Sequence, residues 1–261
     1  MITTKKIKIK LTTKEPFRIG GPEDPIRGQD NPVAIVGEEI VVPGPSLKGA
    51  YRSELESYLI DTYYDKTSKT WKDNFFNYIP CIPAPRLSND EKLLVRSNKY
   101  KEPGCQYPGR GRNFSDSDVR FGICPVCYLL GANGLNGFIR VPFLRPVSGA
   151  ITDELYSARI DRYASTVTRE TNRPYSVVPM ETQFEGMLEI VIQDDIRGWV
   201  LGKPRPLRER TAGDLWLKGN NLDAGKLIKE FVVDRIPKIT IMGGYKSKGC
   251  GKVKIEVTEQ D

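Results

Sequence analysis

Residues 41–56, VVPGPSLKGAYRSELE, decide how this chain folds. They lead from a β-branched strand end through Pro-Gly-Pro into an amphipathic helix. The spacing of the apolar residues predicts that this helix spans about 46–64, with Ser46 as its N-cap. Those apolar residues are Leu47, Tyr51, Leu55, Tyr58 and Leu59. Lys48 and Arg52 lie one turn apart near its start, where the helix dipole already disfavours cations.

The glycines at 44 and 49 have the spacing of a P-loop. Ala50 and Tyr51 follow where Lys and Ser or Thr are required, which argues against a nucleoside triphosphate site. Two interpretations remain. The stretch is a capped helix with a solvated cationic face, or a helix N-terminus that binds a phosphodiester beside Lys48, Gly49 and Arg52.

The sequence outside this helix predicts four strands and a second helix. Alternation of apolar and polar residues predicts strands at 5–13, 182–192 and 252–257, and strand-like composition adds 136–147. A helical pattern covers 222–233. The order strand, helix, strand, strand, helix, strand is that of an α+β fold with a ferredoxin-like or RRM-like palm (βαββαβ). Such sheets commonly bind RNA.

Two segments interrupt this order within what we expect to be a single domain over residues 1–261. Residues 65–134 have little periodicity, many charges and prolines, and four of the five cysteines, so we predict a finger-like insertion. Residues 151–178 are rich in Arg, Thr, Tyr and Ser and predict an extended, exposed arm.

The composition limits the chemistry. Lys and Arg number 40 against 33 Asp and Glu, a net charge of +7 that favours a polyanionic partner. The chain has no histidine, which excludes catalysis by Ser-His-Asp, Cys-His or paired histidines. No apolar run approaches the ~20 residues of a membrane span, and MITTKKIKIKL has no apolar signal core. We therefore expect a cytoplasmic protein without a membrane partner.

The cysteines predict a metal site. Cys124-Pro-Val-Cys127 has the spacing of a zinc knuckle, and Cys81 and Cys105 precede it in the insertion. Without histidine, a closed structural zinc site would most simply use these four thiolates. A redox pair and plain reduced thiols are the alternatives. Four cysteine ligands leave no open position for water, which argues against a zinc-dependent hydrolase.

Three further stretches each allow two interpretations. Residues 243–252, GGYKSKGCGK, fit neither the Rossmann fingerprint nor Walker A, and form a phosphate-tracking loop or a flexible connection. Arginines among tyrosines and threonines at 159–175 are typical of single-stranded nucleic-acid binding and equally of a solvated hairpin. Asp30, in Gly-Gln-Asp-Asn-Pro, is a candidate catalytic carboxylate, but its context is ordinary turn chemistry.

Four motifs together resemble the RAMP superfamily of CRISPR-associated proteins, and more closely the repeated backbone subunit of type III effector complexes. They are Gly28-Gln-Asp-Asn-Pro-Val33, Val42-Pro-Gly-Pro-Ser-Leu-Lys-Gly49 with Arg52, Arg159-Ile-Asp-Arg162, and GGYKSKGCGKV at 243–253. The resemblance covers about the whole chain apart from 65–120. Pro45 departs from it, because the family usually has Ser at this position.

The resemblance implies a CRISPR RNA-binding subunit that polymerises with further copies of itself along the guide RNA, beside other type III effector subunits. It implies that such a subunit cleaves target RNA at regular intervals as an endoribonuclease. Asp30 would orient or deprotonate the attacking 2′-hydroxyl, with Mg²⁺ or another divalent metal. Residues 151–178 would be the thumb. The implied RNA-binding residues are Ser46, Lys48, Gly49, Arg52, Arg159, Arg162, Arg169, Gly243, Gly244, Lys246 and Lys248.

Two alternatives stand beside this interpretation. The first is a catalytically inactive, structural RNA-binding backbone subunit in which Asp30 is only a turn residue. The second is a guide-RNA-processing endonuclease of the same superfamily. Such enzymes often use histidine, so its absence counts against the second alternative.

Overall fold

The structure, a computed structural model, describes residues 1–21, 32–84, 86–102, 104–106, 122–157, 163, 173–207, 213–218 and 222–259. Among these residues the strands are β1 (Ile2–Thr13), β2 (Ile35–Val36), β3 (Glu39–Ile40), β4 (Tyr64–Asp65), β5 (Thr70–Trp71), β6 (Ile139–Arg140), β7 (Arg145–Pro146), β8 (Asp153–Ser157), β9 (Arg173–Val177), β10 (Gln183–Asp194), β11 (Trp199–Val200) and β12 (Val253–Glu259). The helices are α1 (Gly44–Tyr63), α2 (Asn89–Arg96), α3 (Pro125–Leu130) and α4 (Ala224–Leu227), the last continued by a π-helical turn at Ile228–Val233.

The long strands β1 and β10 are central in an antiparallel sheet of order β11-β10-β1-β12, with β6 and β7 also paired to β10. Glu189 of β10 lies opposite Arg140 of β6, and Phe184 lies opposite Pro146 of β7. The α+β class predicted from the sequence is confirmed. The predicted strand at 136–147 is present only as β6 and β7, because Pro142 between them has no N–H to donate to a ladder.

The chain forms two compact units. The first comprises Met1–Ile7, Tyr51–Arg140 and Leu188–Ile236. The second comprises Lys8–Ala50, Val141–Met187 and Pro237–Asp261.

In the first unit, α1 buries the apolar face that its spacing predicts. Tyr51, Leu55 and Leu59 are all buried. The Tyr51 hydroxyl donates to the carbonyl oxygen of Phe231, 2.7 Å away in the π-helical turn. Since burial also raises the pKa of Tyr51, this phenol stays protonated and acts as a donor that satisfies an interior carbonyl.

In the second unit, α1 begins two residues earlier than the sequence predicts. The carbonyl oxygen of Pro43 accepts from the backbone N–H groups of Ser46 and Leu47, at 3.0 and 3.1 Å. Ser46 therefore lies in the first turn, and its prediction as N-cap was wrong. Pro45 causes no loss there, because N–H groups in the first helical turn have no intrahelical acceptor.

Hydrogen bonds from two aromatic side chains stabilise the segment predicted as an insertion. The Tyr64 hydroxyl donates to the carbonyl oxygen of Ser97, and the Trp71 indole N–H donates to that of Asn98, both at 2.6 Å. Ser97 and Asn98 directly follow α2. Ser88 starts α2 with a capping box. Its hydroxyl accepts from the Glu91 N–H at 3.2 Å while its own N–H donates to the Glu91 carboxylate at 2.6 Å.

Candidate metal centre and nucleic-acid interface

The four cysteines singled out from the sequence lie together in the first unit. The sulfurs of Cys81, Cys105, Cys124 and Cys127 all lie within 4.8 Å of one another, and all four residues are buried. The Sγ atoms of Cys81 and Cys127 are 3.4 Å apart. Ligands at the 2.3 Å bond length of tetrahedral zinc would be about 3.8 Å apart, so the cluster has dimensions that suit one metal ion.

Local backbone structure explains why these segments converge. Cys124 precedes α3 directly, with Pro125 at its first position, and Cys127 follows one turn later. Cys81 pairs with Lys101 in an isolated bridge. Gly104 precedes Cys105, and a Cβ there would lie 2.8 Å from the carbonyl oxygen of Ile82. A glycine is therefore needed for the two ligand-bearing segments to approach.

A buried ion pair packs against Tyr128 of helix α3. Arg205 and Asp214 are both fully buried and lie 2.7 Å apart. The Arg205 guanidinium also lies 4.8 Å from the ring centroid of Tyr128, the residue after Cys127. The pair gives α3 a rigid support, which pre-positions two of the four sulfurs.

Donors around the cluster favour the thiolate form of Cys105, whereas side-chain hydrogen bonds from neighbouring cysteines raise the pKa of Cys81 and of Cys127. The backbone N–H of Cys124 donates to the Cys105 sulfur at 3.2 Å. Side-chain hydrogen bonds from the other three cysteines and the nearby charge of Lys101 hold the pKa of Cys105 well below its ordinary value, although burial opposes them. Thiolates are the form that binds metal.

Two cations flank the sulfurs. The Arg52 side chain is 14% exposed, and its Nη2 lies 3.5 Å from the Cys127 sulfur and 3.1 Å from the carbonyl oxygen of Gly131, to which it donates. Lys101 is 6% exposed, and its ammonium donates to the carbonyl oxygen of Gly122. Burial lowers the pKa of each cation, but the nearby cysteine sulfurs more than offset it, so both pKa values are raised.

Glu56 completes the surroundings of Arg52. Its carboxylate lies 3.5 Å from the Arg52 guanidinium and accepts from the Tyr100 hydroxyl at 3.3 Å. Burial raises the pKa of Glu56 to about 7, against the opposing effect of Arg52. The carboxyl is therefore partly protonated near neutral pH.

The placement of Arg52 adds to what the sequence predicted. The sequence assigned it to RNA, whereas the structure gives it contacts with Cys127, Gly131 and Glu56. Sequence reasoning missed Lys101, which precedes Cys105 by four residues in a charge-rich segment. Its only signal was its position between two predicted ligands.

Three of the predicted RNA-binding residues of α1, namely Ser46, Lys48 and Gly49, lie at its N-terminal turns, in the second unit. Gly49 is exposed, and among the described residues no atom outside its own helix backbone and chain neighbours lies within 4 Å of where its Cβ would be. Lys48 and Ser46 are half-buried. Gly44 differs, because a Cβ there would lie 2.9 Å from the carbonyl oxygen of Val141. Packing thus requires glycine at position 44, whereas no described atom would crowd a Cβ at position 49.

The Gly-rich loop of the second unit holds a cluster of aromatic rings and cations. The Gly244 N–H donates to the carbonyl oxygen of Arg18 at 2.8 Å. The Arg18 guanidinium lies 4.8 Å from the centroid of the Tyr245 ring, and the Lys248 ammonium lies 4.6 Å from it. Tyr175 packs edge-on against Tyr245 at 4.6 Å. Sequence reasoning singled out Lys248 and the stretches that hold Tyr175 and Tyr245, but it missed Arg18 and did not predict that these residues, far apart in the chain, pack together.

The glycines of this loop have different roles. Gly243 has φ +88°, and a Cβ there would lie 2.4 Å from the carbonyl oxygen of Arg18, so the site requires glycine. Gly244 is exposed. The described atom nearest to where its Cβ would be is the same Arg18 oxygen, 3.9 Å away. Lys246 and Lys248 are exposed in a 3-10 turn between Tyr245 and Gly249. The loop therefore presents two cations on a backbone fixed at its first glycine.

Some predicted site residues lie outside the described residues. They are Asp30, Arg159, Arg162 and Arg169. The segment predicted as the thumb is described at its base, where β8 and β9 pair antiparallel with Asp153 opposite Val177. Within the described parts of the chain, no helix is both long and apolar enough to cross a membrane.

These features define an α+β protein with an antiparallel sheet and a buried four-cysteine cluster. The family model of the RAMP superfamily matches residues 10–254. The chain belongs to the RAMP superfamily, which confirms the resemblance seen in its motifs.

Two further comparisons complete this result. A chain in the cryo-EM structure of the type III-B Cmr-beta bound to cognate target RNA is similar, with a TM-score of 0.47 and 12% identity. The match covers 98% of this chain and 61% of that one, so this chain spans less than two thirds of its length. No curated protein matches the sequence significantly.

Proposed function

We propose that this chain is a CRISPR RNA-binding backbone subunit of a cytoplasmic type III interference complex. It polymerises along the guide RNA with further copies of itself and other effector subunits, and cleaves bound target RNA at regular intervals. The observation that carries the proposal is the match to the RAMP superfamily over residues 10–254, which includes the motifs that resemble type III backbone subunits.

The RNA-binding surface that we propose lies in the second unit. Gly49 is exposed near the start of α1 beside Lys48, no described atom would crowd a Cβ there, and Lys246 and Lys248 are exposed in the Gly-rich loop. Backbone N–H groups and lysines are the groups that bind phosphodiesters without reading the base sequence. The strand order β12-β1-β10 with β6 and β7 supports a ferredoxin-like palm.

Cleavage of the target RNA is the more specific part of the proposal. Asp30 acts with Mg²⁺ or another divalent metal, and the thumb at 151–178 carries Arg159, Arg162 and Arg169 to the guide–target duplex. A carboxylate is one of the few groups available for such chemistry in a chain without histidine.

The four-cysteine cluster binds zinc in a structural role. The sulfur spacing suits one ion, and a cluster of several irons would need a wider cage of cysteines. Four thiolates fill the coordination sphere, so the ion stabilises the first unit and takes no part in cleavage.

The test is cleavage of a labelled complementary RNA by the reconstituted complex. Asp30→Ala should abolish cleavage while guide binding stays unchanged, and Asp24→Ala, which removes a carboxylate six residues earlier in the sequence, serves as a matched control. Uncleaved target with the wild-type subunit, together with intact guide binding, would favour the catalytically inactive structural subunit. Cleavage of the guide precursor by the isolated chain would favour the guide-processing endonuclease instead.

A further inference from the structure

A zinc ion held by four cysteines leaves a buried excess of negative charge. Four thiolates carry four negative charges and the ion returns two positive ones, so two negative charges remain. All four cysteines are buried, and an uncompensated charge in such surroundings is costly. The first unit must therefore supply positive charge close to the sulfurs, or hold the metal weakly.

Lys101 is placed to supply one of these charges. Lysine is rarely buried unless it is paired, yet this one is 6% exposed. Its neighbour across the isolated bridge is Cys81, and its ammonium donates to the carbonyl oxygen of Gly122, two residues before Cys124. The sulfurs of Cys105, Cys124 and Cys81 act on its ammonium electrostatically.

Arg52 is placed to supply the other charge. Its Nη2 lies 3.5 Å from the Cys127 sulfur, and the same nitrogen donates to the carbonyl oxygen of Gly131 at 3.1 Å. The second contact fixes the guanidinium against the end of α3. Glu56, 3.5 Å away, shares the guanidinium without displacing it from the sulfur.

We propose that Arg52 and Lys101 neutralise the two excess negative charges of the zinc–tetrathiolate centre and thereby set how tightly it holds zinc. This inference rests on the zinc site proposed above. Arg52 is then a positioning residue of the metal centre, and this role does not require bound RNA.

The test measures zinc release from the purified full-length chain. Zinc content is determined by elemental analysis, and release to excess chelator is followed with a colorimetric zinc indicator. Arg52→Met and Lys101→Met each remove a charge but keep an unbranched side chain. We expect release between about 10-fold and 100-fold faster than from the wild type, the usual cost of losing a group that supports metal ligands.

Three control variants separate charge from general destabilisation. Arg52→Lys keeps the charge and should release zinc at close to the wild-type rate. Glu56→Gln alters the same neighbourhood but leaves both cations in place, so release should be no faster than from the wild type. Lys92→Met removes an exposed lysine of α2 and should have no effect.

Each outcome decides between the inference and its premise. Wild-type rates in both methionine variants, with one zinc bound, would overturn the charge role and leave the zinc site standing. Release from Arg52→Lys as fast as from Arg52→Met would also overturn it, because charge would then not be the property that matters. Wild-type protein without metal would overturn both. If a methionine variant does not fold, the comparison of Arg52→Lys with the wild type still decides, because zinc release from Arg52→Lys that is faster by about 10-fold or more would overturn the charge role.

Discussion

Nη2 of Arg52 on α1 donates to the carbonyl oxygen of Gly131, 3.1 Å away, where α3 has just ended. The bond connects the helix that begins with the PGPSLKG motif to the helix that carries Cys127. A residue that a linear motif assigns to RNA thus has a structural partner 79 positions later in the chain. This relationship links the proposed metal centre to the stability of the first unit.

Loss of a cluster cysteine should remove zinc and destabilise the first unit. Cys127→Ser replaces a thiolate with a weak ligand, and we expect loss of bound zinc and a fall in Tm of several degrees, since a structural metal contributes directly to folding. Elemental analysis and thermal denaturation with and without chelator measure both effects. Cys250→Ser is the matched control, because Cys250 is also buried but packs against Tyr175 and Val177 of the second unit. Unchanged zinc in Cys127→Ser would refute the ligand assignment.

Charge removal from the Gly-rich loop should weaken guide binding in a salt-dependent way. Lys246→Ala and Lys248→Ala each remove an exposed ammonium that we assign to a phosphate. Each change should lower the slope of log affinity against log salt concentration by about 1. Lys238→Ala removes an exposed lysine elsewhere in the second unit and should leave the slope unchanged. Equal slopes for all three variants would contradict the assignment of the loop.

Gly49→Ala should move stability and RNA binding in opposite directions. Alanine in a helix is favoured over glycine by roughly 0.5–1 kcal/mol, and the Cβ meets no described atom within 4 Å beyond its own helix. The same Cβ occupies the space where we place the guide backbone, so affinity should fall by about 1 kcal/mol. Denaturant unfolding and filter binding measure the two changes. Gly225→Ala in α4 is the control, and a similar loss of affinity there would argue against a specific site at Gly49.

The protonation of Glu56 should make stability depend on pH. Burial raises the pKa of Glu56 to about 7. A carboxyl whose pKa is about 4.3 when unfolded then binds more protons in the folded state, so stability falls as pH rises from about 4.3 to 7. Glu56→Gln should remove this loss and stabilise the protein above pH 7 by on the order of 1–3 kcal/mol relative to the wild type. Urea unfolding at pH 5 and pH 8 checks the sign, with Glu102→Gln as a surface control. A stabilising effect confined to pH 5 would contradict it.

Local patterns predicted the elements whose cause is local. The periodicity of Leu47, Tyr51, Leu55 and Leu59 placed α1, and the alternation in β1 and β10 placed the central strands. The start of α1 was missed by two residues. Proline is compatible both with the first helical turn and with the position before a helix, so Pro45 does not mark where the helix begins. The Cys124–Cys127 spacing was enough to predict a metal site, whose four members the structure brings together.

Relationships between distant residues were beyond the sequence. A helical pattern shows that Arg52 lies beside the buried face of α1, but not that Cys127 and Gly131 lie opposite it. In the same way nothing near Tyr245 in the chain points to Arg18 or Tyr175, which pack around it only once the fold has formed. Charged residues are usually exposed, so no sequence pattern predicted that Lys101 is buried.

The most direct test of the account is sequencing of the RNA that co-purifies with this chain from its native cells. The account predicts guides that carry CRISPR repeat-derived ends, bound in a complex with several copies of the chain and other effector subunits. Lys246→Ala with Lys248→Ala should reduce the recovered guide without altering zinc content. Recovery of no RNA, or of RNA without repeat-derived sequence, from an intact zinc-containing protein would contradict the central claim.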